Sequence, residues 1–229
     1  LVTSDPDSDA FDLGTPAGSA RRQHERRRAR REAATREAHP HIGNLLLRLG
    51  EPPANERSWR TGAIGEEAVA DHLAANCPDV PVLHDRRMPS SRANIDHIAI
   101  TPSGVLVIDT KRLKGKIEVR NPLFGPERLL VAGRDKSKLV EGLRRQLDAL
   151  RTRLELIEQD VPLAGCFCFV NPDGQAGGTG IPLLRTLTVE GFPLYYPRRL
   201  SKRLNRDGPI GVEQIGVLTE ALVELFPPA

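Results

Sequence analysis

Ile95–Lys111 reads IDHIAITPSGVLVIDTK, two alternating or apolar runs separated by Thr101-Pro102-Ser103-Gly104. This is the pattern of a β-hairpin. Pro102 suits the first central position of a type I turn, and Gly104 suits the left-handed bulge position that matches the turn to the strand twist. If Thr101 and Gly104 flank the turn, Asp96 lies opposite Asp109; a shift by one residue is the other register such a turn allows. Period-two alternation sets Val105, Val107, Asp109 and Lys111 on one face and Leu106, Ile108 and Thr110 on the other.

Two carboxylates facing each other across a hairpin repel, so a cation is expected between them. A divalent metal meets that need, because Mg²⁺ favours one or two carboxylates completed by water and substrate phosphate. Lys111 projects from the same face as Asp109. There it can position or deprotonate an attacking water, or stabilise charge developing on a phosphorane. The arrangement reads as phosphodiester hydrolysis.

A third carboxylate comes from the helix expected over Thr61–Asn76, TGAIGEEAVADHLAAN, which Pro78 ends. With Val69 as origin and about 100° per residue, Leu73 lies about 40° away, Glu66 about 60° and Glu67 about 160°. Glu66 therefore shares the core side and Glu67 points outward, although Ile64 falls off the stripe.

Further along, Lys116–Arg120 and Arg128–Ala132 read as strands. Asp135–Gln159 reads as an amphipathic helix stepping through Leu139, Leu143, Leu147, Leu150, Leu154 and Ile157, with Gln146 on the same side. Leu163–Val170 (LAGCFCFV) is a buried type of strand, ended by the Asn171-Pro172-Asp173-Gly174 turn and followed by a loop around Gly177–Gly180. Leu187–Glu190 is a short strand, and Arg198–Leu204 and Gln214–Phe226 are helices. Strands and helices in this order give an α/β (α+β) class.

Upstream, residues 1–20 hold four Asp and no cation, while residues 21–36 hold eight Arg against two Glu. The first stretch has too little apolar surface to offset ordering entropy and is expected to be disordered. Arg21–Ala38 has good helix formers but no apolar stripe, so a helix there needs an anionic partner or is transient. Arg26, Arg27, Arg28, Arg30 and Arg31 are candidate phosphate contacts, with a solvated charge run as the alternative. His39-Pro40 and Glu51-Pro52-Pro53 break the chain on either side of the apolar Leu45, Leu46, Leu47 and Leu49. The expected division is an extension over residues 1–56 and a folded domain over 57–229.

Composition excludes several classes. With 39% hydrophobic and 28% charged residues, the 229-residue chain is neither collagen-like, coiled-coil nor wholly disordered. No apolar run reaches the roughly 18 to 20 residues of a membrane span, and no signal-peptide pattern opens the chain. No membrane partner is expected. Cys77, Cys166 and Cys168 form neither a disulfide framework nor a zinc spacing, so a reducing cytoplasm is the expected location. Outside the acidic and Arg-rich stretches the chain is nearly neutral, and overall charge names no partner.

Gly62–Glu66 (GAIGE), Ile95-Asp96-His97, Val107-Ile108-Asp109-Thr110-Lys111 and a later helix bearing Gln146 together resemble the nuclease-related (NERD) domain, a branch of the PD-(D/E)xK nuclease superfamily. The resemblance is strongest over Trp59–Gln146. It implies a restriction-endonuclease-like mixed sheet flanked by helices and a Mg²⁺ or Mn²⁺ ion held by Asp96, Asp109 and the Thr110 carbonyl. It also implies Lys111 as catalytic lysine, Glu66 as helix carboxylate, Gln146 as an auxiliary polar group, and nucleic acid, DNA foremost, as substrate. Members of the family commonly carry Glu at the position of Asp109, and a shorter side chain moves the metal or demands closer strands. Ile95 stands where the superfamily motif has Pro.

Each residue also has a plainer reading. Asp109 and Lys111 can be a strand-end ion pair, Asp96 a strand cap, Glu66 a helix N-terminal carboxylate and Gln146 a helix-edge residue. His97 alternates away from Asp96 and reads as a packing residue, as do Cys166, Cys168 and Trp59. The functional alternative to a nuclease is a nuclease fold kept, without turnover, as a nucleic-acid-binding or protein-interaction module.

Overall fold

The computed structural model describes residues 11–42, 44, 47, 54–171 and 186–229, with backbone alone for 54–59. Helix α1 spans Gly18–Ala38 and α2 Ala54–Asn76; the strands after them are β1 Val82–Arg87, β2 Asn94–Thr101, β3 Gly104–Arg112, β4 Ile117–Arg120, β5 Arg128–Val131 and β6 Arg134–Asp135. Then come α3 Lys138–Leu156, β7 Leu163–Val170, β8 Leu187–Val189, β9 Phe192–Tyr195, α4 Pro197–Leu204 and α5 Val212–Leu225. The expected tail over residues 1–10, the Leu45, Leu46 and Leu49 side chains, the Glu51-Pro52-Pro53 break, the Trp59 side chain and the stretch 172–185 lie outside the described residues.

The main sheet runs β1-β2-β3-β7-β9-β8. β1, β2 and β3 are antiparallel neighbours, β3–β7 and β7–β9 are parallel, and β8–β9 is antiparallel. The mixed sheet is expected of a chain that makes a tight hairpin and then crosses over through a helix before returning parallel. β4, β5 and β6 form a small antiparallel sheet inside that crossover.

Helices cover both faces of the main sheet. One core gathers Ile98, Ile100, Val105, Val107, Phe167 and Phe169 under Leu143, Leu147 and Leu150 of α3 and Leu218 and Leu222 of α5. The other gathers Ala99, Leu106, Ile108, Cys166 and Cys168 under Val69 and Leu73 of α2 and Leu200 and Leu204 of α4. The alternation expected of β3 thus separates its side chains between two cores, and the three cysteines are buried and free.

The register is the one that the turn predicts, with Thr101 against Gly104, Ile100 against Val105 and His97 against Ile108. Gly104 sits at φ +123°, and a Cβ there would stand 2.3 Å from the Pro162 carbonyl oxygen. That oxygen already accepts the Val105 N–H at 2.8 Å, so backbone meets backbone and a side chain has no room.

Four segments differ from expectation. β1, VLHDRR, does not read as a strand because two charged residues, Asp85 and Arg86, are buried in it. β6 and β9 are too short, at two and four residues, to leave a pattern. Residues 11–20 depart from the disorder expected of them. Ala17 is fully buried, the Leu13 carbonyl accepts the His84 N–H at 2.7 Å, and Gly18 begins a helix that continues through the arginine run. The rest of α1 is mostly exposed, as its missing apolar stripe requires.

Gly104→Ala should cost about 2 kcal/mol or more, through positive φ and the clash with Pro162. Urea unfolding should show a lower midpoint for this variant than for Gly133→Ala, whose added Cβ has no neighbour within 4 Å.

Candidate active site at the β2–β3 strand ends

Asp96 and Asp109 lie directly beyond the last β2–β3 pair, His97 with Ile108, so the register brings them abreast. The ladder ends there in a specific way. The Thr110 N–H donates at 2.7 Å not to a backbone carbonyl of β2 but to Asp96 Oδ2. A carboxylate thereby takes over one main-chain position of the hairpin and is fixed by it.

Lys111 lies where the oxygens converge. Its Nζ is 2.8 Å from Asp109 Oδ2, 3.8 Å from Asp96 Oδ2, and donates to the Thr110 carbonyl oxygen at 3.0 Å. Burial alone would disfavour the ammonium, but Asp109 and Asp96 more than offset this and hold its pKa above the usual lysine range. Lys111 is therefore charged at neutral pH.

One ammonium does not balance the carboxylates around it. Glu66, half-buried on α2, is pushed up to about 9 by burial, by Asp96 and by Asp85, with Lys111 acting the other way. Burial also pushes Asp96 up, to about 7, where Lys111 and the Thr110 N–H oppose it and Asp109 adds to it. Glu66 and Asp96 line one cleft of about 350 Å³ with Ser19, Asp85, Arg92 and Asn94. Gly65 gives α2 its approach, since a Cβ there would stand 2.9 Å from the Cβ of Arg112.

Gln146 is buried on α3, on the sheet face that carries Asp109, and among the described residues its Oε1 has no hydrogen-bond partner. The Thr110 hydroxyl is likewise buried without one. His97 is fully buried and turned to the other face, its Nδ1 2.8 Å from His84 Nδ1. Burial and the neighbouring ring push it well below the ordinary histidine value, as suits a packing residue.

Asp85 is the site neighbour that the sequence does not announce. Its flanking pairs, His84 with His97 and Arg86 with Ile95, place it beside Asp96, making a row of three aspartates across β1, β2 and β3. A backbone φ of +47° turns it out of the row. Its carboxylate accepts from Ser19 N, Ser19 Oγ and Asn94 Nδ2, and so caps the first turn of α1 from outside the helix.

Of the five candidate arginines, Arg26 borders a cleft beside the site and Arg28 pairs with Glu32. α1 leans on α2 through Arg21 and Glu67.

The model of the nuclease-related domain family matches residues 61–170. Over these residues, just under half of the chain, the sequence is similar to a nuclease-related domain. The match takes in Glu66, Asp96, Asp109, Thr110, Lys111 and Gln146 and leaves α1 outside. The domain's wider setting is the PD-(D/E)xK superfamily, and the α+β mixed sheet agrees with it. No curated protein and no solved structure matches the chain. Among the described residues, no helix is long and apolar enough to cross a membrane.

The raised carboxyls of Glu66 and Asp96 set a sign for the pH dependence of stability. A carboxyl held neutral by the fold contributes stability that is complete below its ordinary value, 4.5 for Glu66 and 3.8 for Asp96, and is lost as pH rises through the folded values. Lys111 adds no slope in this window, since its ordinary value of 10.5 is already above it. The metal-free domain should lose stability between about pH 4 and pH 9. Glu66→Gln should stabilise it at pH 9 by about 1–3 kcal/mol and leave it nearly unchanged at pH 4, as thermal melts across pH will show.

Proposed function

We propose that the chain is a metal-dependent nuclease that hydrolyses phosphodiester bonds, with DNA as its substrate. The observation that carries this reading is the convergence of Asp96, Asp109 and the Thr110 carbonyl on one half-buried cationic point beside the cleft that Glu66 lines. A plain strand-end ion pair would need neither the main-chain carbonyl nor two further acids held partly neutral.

The donor set fits a hard divalent ion. Two carboxylates and a carbonyl are the oxygens that Mg²⁺ or Mn²⁺ takes, with water and substrate phosphate completing the shell. Among the described residues no three His, Cys, Asp or Glu side chains come together to hold a metal by themselves, and the soft-ligand metals have no site here. Asp96, Asp109 and the Thr110 carbonyl would hold the ion, which supplies Lewis-acid polarisation of a phosphoryl oxygen when bound.

The chain's own residues do the rest. Lys111, kept protonated by its two aspartates, serves as an electrostatic partner for charge developing on the phosphate and not as a base. Glu66 reaches the same cleft from α2 and is the group whose proton can leave as positive charge enters. Gln146, with a buried and unpartnered Oε1, offers an acceptor for an attacking water. The Arg-rich helix adds salt-sensitive attraction for phosphates.

The test is cleavage of single- and double-stranded DNA, and of RNA, by the purified chain with Mg²⁺ or Mn²⁺. Asp96→Ala and Lys111→Ala, each shown to be folded, should lower the rate at least 100-fold, and Gln146→Ala roughly tenfold. Absence of metal-dependent cleavage on all three substrates would contradict the reading.

A further inference from the structure

Ser19, Arg92 and Asn94 border two adjoining clefts. One is the acidic cleft of Glu66 and Asp96. The other, of about 530 Å³, is lined by Arg22 and Arg26 from α1, Arg87 from the end of β1 and Arg92 from the β1–β2 connection, with no Asp or Glu in its wall.

At several other places the chain pairs exposed arginines with acids, as in Arg21 with Glu67, Arg144 with Glu190 and Arg151 with Asp148. In this cleft it does not. Arg22 donates to the Ala229 main-chain oxygen, and among the described residues the guanidinium groups of Arg26, Arg87 and Arg92 have no carboxylate partner. Four like charges around one concavity repel each other, and oxyanions entering between them relieve the repulsion. Planar forks of N–H donors match phosphate oxygens in geometry as well as in charge.

The cleft exists only because α1 is docked. Arg22 and Arg26 are presented by a helix whose first turn is held by the Asp85 carboxylate, while Asn94, bonded to both Ser19 and Asp85, stands at the join of the two clefts. Arg92 borders both clefts and links the basic wall to the acidic one.

We propose that the Arg22–Arg26–Arg87–Arg92 cleft binds successive backbone phosphates of the nucleic-acid strand whose scissile phosphate lies over Asp96 and Asp109. The inference rests on the nuclease reading for the strand's path, but its binding is independent of turnover. Two of its arginines, Arg87 at the end of β1 and Arg92 in the connection to β2, stand outside the Arg-rich run. Phosphate attraction is thereby local and directional, leading the strand from α1 to the strand ends of the hairpin.

The test is fluorescence-anisotropy binding of a labelled oligonucleotide without terminal phosphate, in EDTA, over a range of salt. Arg87→Glu/Arg92→Glu should weaken binding at least tenfold at about 100 mM salt and reduce the slope of log affinity against log salt by about two, since each phosphate contact contributes about 0.9. Arg87→Gln/Arg92→Gln should fall between this variant and the parent. Arg134→Glu/Arg145→Glu, an equal charge change on exposed residues away from the cleft, should leave the slope unchanged. An equal loss in that control, or an unchanged slope in the cleft variant with circular dichroism intact, would overturn the proposal. A 5′-phosphorylated oligonucleotide that alone binds would assign the cleft to a terminal phosphate and also overturn it. If binding depends on the cleft while no cleavage is ever found, the inference stands and the nuclease reading falls.

Discussion

A shortage of positive charge organises this domain. The hairpin register forces Asp96 and Asp109 side by side, Asp85 stands next in the row, and Glu66 is delivered by α2, yet among the described residues a single half-buried ammonium, Lys111, lies among them. Left alone, such a cluster would be a costly place to fold around. The protein lowers the cost by three means: Lys111 is held charged, Glu66 and Asp96 are biased toward their neutral forms, and Asp85 is turned away to serve α1. An excess of acids over cations at this point is what the proposed metal-dependent reading requires.

The same constraint joins the amino-terminal helix to the site. Asp85 leaves the carboxylate row by a left-handed backbone, and its freed oxygens cap α1. Next to it Arg86, fully buried, donates to the main-chain oxygens of Asp12 and Phe226 and so ties both ends of the described chain to β1. An edge strand with buried charges is thus covered on both sides by other segments of the chain. The basic wall beside the acidic cleft is a consequence of this arrangement.

Much of the geometry is written locally and could be read there. Pro102 and Gly104 state the turn, the turn states the register, and the register brings Asp96 to Asp109. The helical angle of Glu66 relative to Val69 and Leu73 comes from spacing, and both leucine-rich and cysteine-bearing faces pack as their periods imply. The features that stayed hidden depend on partners distant in sequence. VLHDRR looks exposed because its charges are satisfied by Ser19, Asn94, Asp12 and Phe226, none of which a local pattern can name. Residues 11–20 look disordered because their burial consists of one alanine, one glycine and a few hydrogen bonds contributed by another strand. The arginine cleft was partly legible, in Arg26, but Arg87 and Arg92 flank a connection whose fold depends on β1.

The most direct measurement of the charge shortage is a ¹³C-carboxyl NMR titration of Glu66 and Asp96 in the metal-free protein and again with saturating Mg²⁺. The account predicts that both carboxyls titrate well above the ordinary carboxylate range without metal, that Asp109→Asn lowers them, and that Mg²⁺ drives both to lower pH. Ordinary titration of both groups, unmoved by Mg²⁺, would contradict it.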